Sequence, residues 1–170
     1  AGHGIKGLPS ALHDVYADAF GAAPDAAELS EGFGDGWAIS DGYHKVFACC
    51  QYGHATIEAN LKLAQQADPN EIESIHLVTH EKARIMDNPD PDTTISGKFS
   101  MQHIAATSAL NRSGGFEAFS AHVLHDPKVA ALRHKVTMSA YDPVPDWPND
   151  RPTRVDWTMK DGQQLSYEVM

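Results

Sequence analysis

Between Gly42 and Ile57 the chain has no aspartate or glutamate, although its formal net charge is −10. Lys45, Cys49, Cys50 and His54 fall in this window, and an apolar-periodic run follows it to Ala67. A lysine ahead of a helix start, with thiols and an imidazole on the first turns, makes a small electropositive, nucleophile-bearing patch. A second acid-free window runs from Thr93 to Phe116 and holds Lys98, His103 and Arg112. Lys98 again stands just before an expected helix, with Ser100 suited to its N-cap. Helix N-termini offer free N–H groups and about half a positive charge, which suits carboxylate or phosphate. Two such ends would hold a multiply anionic small molecule if they converge. If they do not, the lysines are simply solvated, and spacing leaves both readings open.

Cys50 and His54 are spaced i, i+4 and are expected to share a helix face. That pair reads as a polarised thiol beside an imidazole, as two metal ligands, or as a small buried apolar residue beside a satisfied histidine. A zinc site would need further ligands. His76 with His80, and His122 with His125, are spaced as surface residues, so no metal is expected. A thiol-dependent redox or hydrolytic enzyme using Cys50 and His54 is a further reading. There is no Gly-x-Ser-x-Gly elbow. The glycines Gly32, Gly34 and Gly36 lack the preceding strand and following helix of a phosphate loop. Trp37, Trp147 and Trp157 read as core or edge residues.

These candidates need elements to position them. Residues 8–21 read as a short helix with Leu12, Tyr16 and Phe20 on one face and Gly21 as the stop. Residues 22–36 are Ala-, Gly- and acid-rich and read as a linker. Residues 37–47 suggest short strand-like pieces around the Asp41-Gly42 turn. A helix is expected from about Cys49 to Ala67, a strand over 72–80, and a polar loop over 87–94. Further helices are expected from Ser100 to Asn111, over 116–122, and from Asp126 to His134. Strands follow at 136–141, 153–159 and 164–169, with a four-proline connection at 143–152 and a hairpin turn at Lys160-Asp161-Gly162. The order implies an α+β fold, an antiparallel or mixed sheet with helices packed on one face.

At 170 residues with 42% hydrophobic content, the chain holds one domain or one domain plus an appendage. Its 23 acidic against 13 basic residues argue against nucleic acid as a partner. No apolar window reaches the ~18 residues of a membrane span. The N-terminus lacks the basic and apolar regions of a signal peptide. Adjacent cysteines rarely form an unstrained disulfide, which points to a reducing cytoplasm.

Three ordered segments carry a family resemblance. Lys45-x-Phe47-x-x-Cys50-x-x-x-His54 resembles the lysine–aromatic–cysteine–histidine segment of the MmgE/PrpD family. Asn88-Pro89-x-Pro91 followed by Lys98-Phe99-Ser100-Met101-Gln102-His103 is similar to its proline loop and next helix start. Asp126-Pro127-x-Val129-x-x-Leu132, then Lys135-Val136, is similar to the segment after it, and the Asp161-Gly162 hairpin also fits. The family includes 2-methylcitrate dehydratase, cis-aconitate decarboxylase and iminodisuccinate epimerase. It pairs a large helical domain with a smaller α+β lid and requires no metal or organic cofactor.

The resemblance implies that residues 37–170 are the lid and residues 1–36 the crossing from a helical domain that is missing here. It implies a lyase of the hydro-lyase type acting on a small polycarboxylate. Lys45 would stabilise charge on a carboxylate. Cys50, His54 and His103 would move protons or touch substrate, and Lys98 and Ser100 would bind it. Many members have tyrosine at the position of His103, and the decarboxylase type tends to have histidine at that of Cys50, which tilts the choice to the dehydratase-like branch. A homodimer, or association with a separate helical domain, is expected. The competing reading is a non-catalytic anion-binding module that retains the lid fold. An isomerase or decarboxylase of the same family is the other alternative.

Overall fold

The computed structural model describes residues 10–22, 25, 27, 31–42, 44–146 and 151–170. The chain divides into two compact units, Ala1–His44 and Lys45–Met170. In the first, a π-wound turn at Leu12–Ala17 runs into α1 (Asp18–Phe20) and stops at Gly21, whose φ of 70° is left-handed. Glycine carries that conformation without a Cβ penalty. The expected strand-like pieces at 37–47 are absent among the described residues. A 3-10 turn at Ala38–Asp41 stands there instead.

The second unit is a four-stranded sheet ordered β2-β1-β3-β4, with β1 Ile72–Thr79, β2 Val136–Ala140, β3 Thr153–Met159 and β4 Gln164–Val169. β1 and β2 are parallel, with Ile75 opposite Val136. β1–β3 and β3–β4 are antiparallel, and Gly162, at φ 87°, closes the β3–β4 hairpin. A parallel pair cannot be closed by a tight turn, so the β1–β2 crossover carries helices. These are α3 (Thr94–Lys98), α4 (Met101–Asn111), α5 (Ala121–Leu124) and α6 (Pro127–Arg133). α2 (His54–Leu63) precedes the sheet.

Side chains alternate across the strands. Ile75, Leu77, Val155, Trp157 and Met159 are buried with α2 and α4. The other face is polar. There His76 bonds Thr137 and Ser139, and Asp156 accepts from Arg154 and Ser166. This is the α+β arrangement expected, a mixed sheet with helices on one face.

α4 is the central helix. Every residue from Met101 to Ala109 is buried, as expected of a helix packed on all sides. Ser100 caps it by accepting the His103 N–H at 2.9 Å. Asp126 caps α6 by accepting from Lys128 and Val129, with Pro127 in the first turn.

Four further expectations from the sequence are corrected within the second unit and among the tryptophans. The helix expected from Cys49 begins at His54, after a 3-10 turn at Gln51–Gly53. The polar loop ends early, because Thr93 and Ser96 form a capping box that starts α3. The single helix expected at 116–122 is a 3-10 turn at Phe116–Phe119 followed by α5, which starts afresh at the Ser120 cap. Of the tryptophans, Trp157 is fully buried but Trp37 is 79% exposed, and Trp147 lies outside the described residues.

A polar joint in the core ties three elements together. Asn60 donates to the Ala105 carbonyl (3.2 Å) and to Ser108 Oγ (2.9 Å), and accepts from Trp157 Nε1 (2.8 Å). It thereby locks α2, α4 and β3 together. Asn60→Ala should cost about 2–4 kcal/mol, since it strands a buried indole N–H. Urea unfolding should show the loss as a lower midpoint at unchanged slope. A loss under about 1 kcal/mol would contradict this joint.

Candidate functional site

The segment from Lys45 to Cys50 is irregular, so its position rests on bonds to other segments. The Ala48 N–H donates to the Gly114 carbonyl (2.9 Å) and the Cys50 N–H to the Lys98 carbonyl (3.0 Å). Gly114 must be glycine, because a Cβ there would stand 2.6–2.8 Å from Ile57 and Phe47 side chains. The Lys45 ammonium donates to the Cys49 carbonyl at 3.4 Å. Lys98 is half-buried, with its ammonium 5.1 Å from the Phe116 ring centroid.

Both ammonium groups are near enough to the Cys49 thiol to favour its ionised form. Burial, and then Cys50, outweigh them and push that thiol up to about 12. Cys49 is therefore a protonated core residue, and its Sγ donates to the Cys50 carbonyl at 3.3 Å. Burial lowers His54, against the Cys49 carbonyl, and Lys45 adds to the lowering. The His54 Nε2 is enclosed without a hydrogen-bond partner among the described residues, and the ring meets Phe47 edge-on at 5.2 Å. Lys45, Lys98, Cys49, Cys50 and His54 thus share one neighbourhood.

The structure separates other candidates from it. Cys50 and His54 do not share a helix face, because Cys50 is extended (φ −56°, ψ 139°) and precedes the 3-10 turn. Neither lysine leads directly into a free helix end. Lys98 is the last residue of α3, and the α4 start is buried and capped. Charge here comes from the ammonium groups rather than from helix ends. The Ser100 hydroxyl donates to the Asn88 carbonyl at 2.5 Å and accepts from His103, so it is committed to the cap.

His103 is fully buried, with Nδ1 3.2 Å from Arg133 Nη1. Burial first, and Arg133 second, lower it to about 4, so it is neutral at pH 7. Among the described residues no group of three metal-binding side chains occurs. No helix among them is long and apolar enough to cross a membrane. A cavity of about 400 Å³ lies between Leu110, Lys128, Leu132 and Lys160, and none of the candidate residues lines it. It sits at the far end of α4 from His103.

Sequence reasoning missed Arg133, a helix-end cation that turns inward. It also missed Phe116 under Lys98 and Arg151, whose guanidinium lies 5.7 Å from the Tyr52 ring. No local pattern marks these contacts, since each joins distant segments.

Residues 47–170 match the family model described as the MmgE/PrpD C-terminal domain. The chain belongs to the MmgE/PrpD family. The match spans the second unit except for its first two residues, Lys45 and Val46. No curated protein gives a significant match. The Cys49–Cys50 turn, where the two lysine-bearing segments meet, lies inside the matched residues, whereas Lys45 stands two residues before them.

Two outcomes follow from these environments. Iodoacetamide at about pH 8 should label Cys50 in the folded chain and Cys49 only in denaturant, as peptide mass mapping would read. Labelling of both thiols without unfolding would contradict the burial of Cys49. His103 titrates lower folded than unfolded, so the unfolded chain binds its proton first. Stability should therefore fall as pH drops from about 6.5 to about 4, by on the order of 3 kcal/mol from this ring. His103→Gln should flatten that part of the pH–stability curve, and an unchanged slope would contradict it.

Proposed function

We propose that this MmgE/PrpD C-terminal domain supplies one wall of the active site of a cofactor-independent lyase. The substrate is a small polycarboxylic acid and the reaction is 2-methylcitrate dehydratase-like. The supporting observation is that Lys45, whose ammonium donates to the Cys49 carbonyl, and Lys98, whose carbonyl accepts the Cys50 N–H, come from acid-free windows of an acidic chain and meet at one turn. Two cations at one turn suit a ligand with two carboxylates at short separation.

Lys45 is exposed and free to turn from the Cys49 carbonyl onto a substrate carboxylate. There it would stabilise charge that grows as a neighbouring group departs. Lys98, steadied by Phe116, would hold a second carboxylate. His54, lowered and held close to Lys45, suits proton transfer as a neutral base. Cys50, half-buried beside the Lys98 backbone, suits substrate contact. His103 and Ser100 lie in the core and would act by positioning.

Exposed apolar side chains flank the lysines: Val46, Ile95, Phe99 and Phe116. A fringe of this kind around cations favours association with a helical domain that covers it and supplies the opposite wall. The burial of His103 favours the second reading, an anion-binding module without catalysis of its own.

Lys45→Ala in the lyase, assayed with its helical domain present, tests the choice. The proposal expects loss of at least about a hundredfold in turnover with folding intact. Unchanged turnover would remove Lys45 from the mechanism. Citrate binding by an assembly that turns over no such acid would leave the binding module as the function.

A further inference from the structure

Arg133 is 6% exposed and, among the described residues, has no carboxylate within hydrogen-bond distance. Its Nη1 donates to the Leu124 carbonyl (2.9 Å) and faces His103 Nδ1 (3.2 Å). Asp90 favours its charge from a longer range and also pairs with His134 at 3.1 Å. A guanidinium only donates, so Nδ1 is the accepting nitrogen and the proton of the neutral ring sits on Nε2, which is buried without a hydrogen-bond partner among the described residues. Protonating Nδ1 would set an N–H against an N–H beside a fixed positive charge.

The other edge of the ring lies beneath α3. Its Cδ2 and Nε2 are 3.2 and 3.6 Å from where a Cβ on Gly97 would stand, and the Phe119 ring meets it edge-on with centroids 5.8 Å apart. Gly97 is followed by Lys98, whose carbonyl accepts the Cys50 N–H, and the adjoining Cys49 carbonyl accepts Lys45. One run of contacts therefore joins Arg133 to both lysines through His103.

We propose that Arg133 is a positioning residue for the lysine site: it fixes His103 as the neutral Nε2–H tautomer, and that ring, wedged beneath Gly97, sets the backbone that carries Lys98. His103 is then a structural wedge and not the proton-transfer base. The shift of this ring to about 4 has the direction that burial beside a guanidinium requires. The effect on the lysines rests on the anion-site reading above, whereas the tautomer does not.

Long-range imidazole ¹H–¹⁵N spectra of the full chain test the tautomer, with His103→Gln used for assignment. In the wild type, His103 should show an unprotonated Nδ1 and a protonated Nε2 from neutral pH down to about pH 5. Arg133→Lys should keep that pattern. Arg133→Met should mix the tautomers and move the titration of the ring upward. Citrate, followed by the Cys50 amide resonance, should bind Arg133→Met roughly threefold to tenfold more weakly than wild type.

A wild-type ring protonated on Nδ1 would overturn the proposal, even if Arg133→Met does not fold. A folded Arg133→Met with the wild-type tautomer would overturn it as well. A switched tautomer with unchanged citrate affinity would break the link to the lysines. If wild type does not bind citrate while the tautomer is as expected, the anion site fails and the lock stands.

Discussion

The Cys50 amide donates to the Lys98 carbonyl, and the candidate site depends on that single backbone bond. It joins two segments that share no regular element. On one side stand Lys45 and the Cys49–Cys50 turn, and on the other α3 and the start of α4. Without it, each lysine would be an ordinary surface cation contributing little. With it, the two lysine-bearing segments meet at one turn in a chain of net charge −10.

The bond holds because its two ends are anchored in the core. The cysteine turn is pinned by Ala48 to the Gly114 carbonyl, where close packing against Ile57 and Phe47 admits only glycine. The lysine side is carried on α3, which rests on the His103 ring, and on α4, which is buried throughout its first nine residues. α4 is in turn joined to α2 and β3 through Asn60. The core thus uses polar joints to fix registry, and the site inherits that rigidity. Around the lysines, the apolar side chains of Val46, Ile95, Phe99 and Phe116 are exposed.

Much of the fold was legible because its signals are local. Alternation at 72–79, 153–159 and 164–169, the Asp126-Pro127 start and the Ser100 cap each require only neighbouring residues. The parallel β1–β2 pairing and the sheet order are long-range, and no local pattern carries them. The start of α2 was misplaced because the apolar run continues back through Cys49, while a 3-10 turn interrupts the helix. For the site, charge windows identified both lysines. Residue type alone could not show that His103 and Ser100 face the core, because each looks the same in sequence whether it meets solvent or a buried partner. Arg133 was invisible for the same reason: a basic residue in a last helical turn is ordinarily a solvated cap.

The central claim is that Lys45 and Lys98 act on one anion. A double-mutant cycle on tricarboxylate binding, with Lys45→Ala, Lys98→Ala and both together measured by calorimetry, tests it most directly. The account predicts a coupling of at least about 0.5 kcal/mol, since the second removal acts on a ligand the first has already loosened. Strictly additive losses, or wild-type affinity in either single variant, would contradict it.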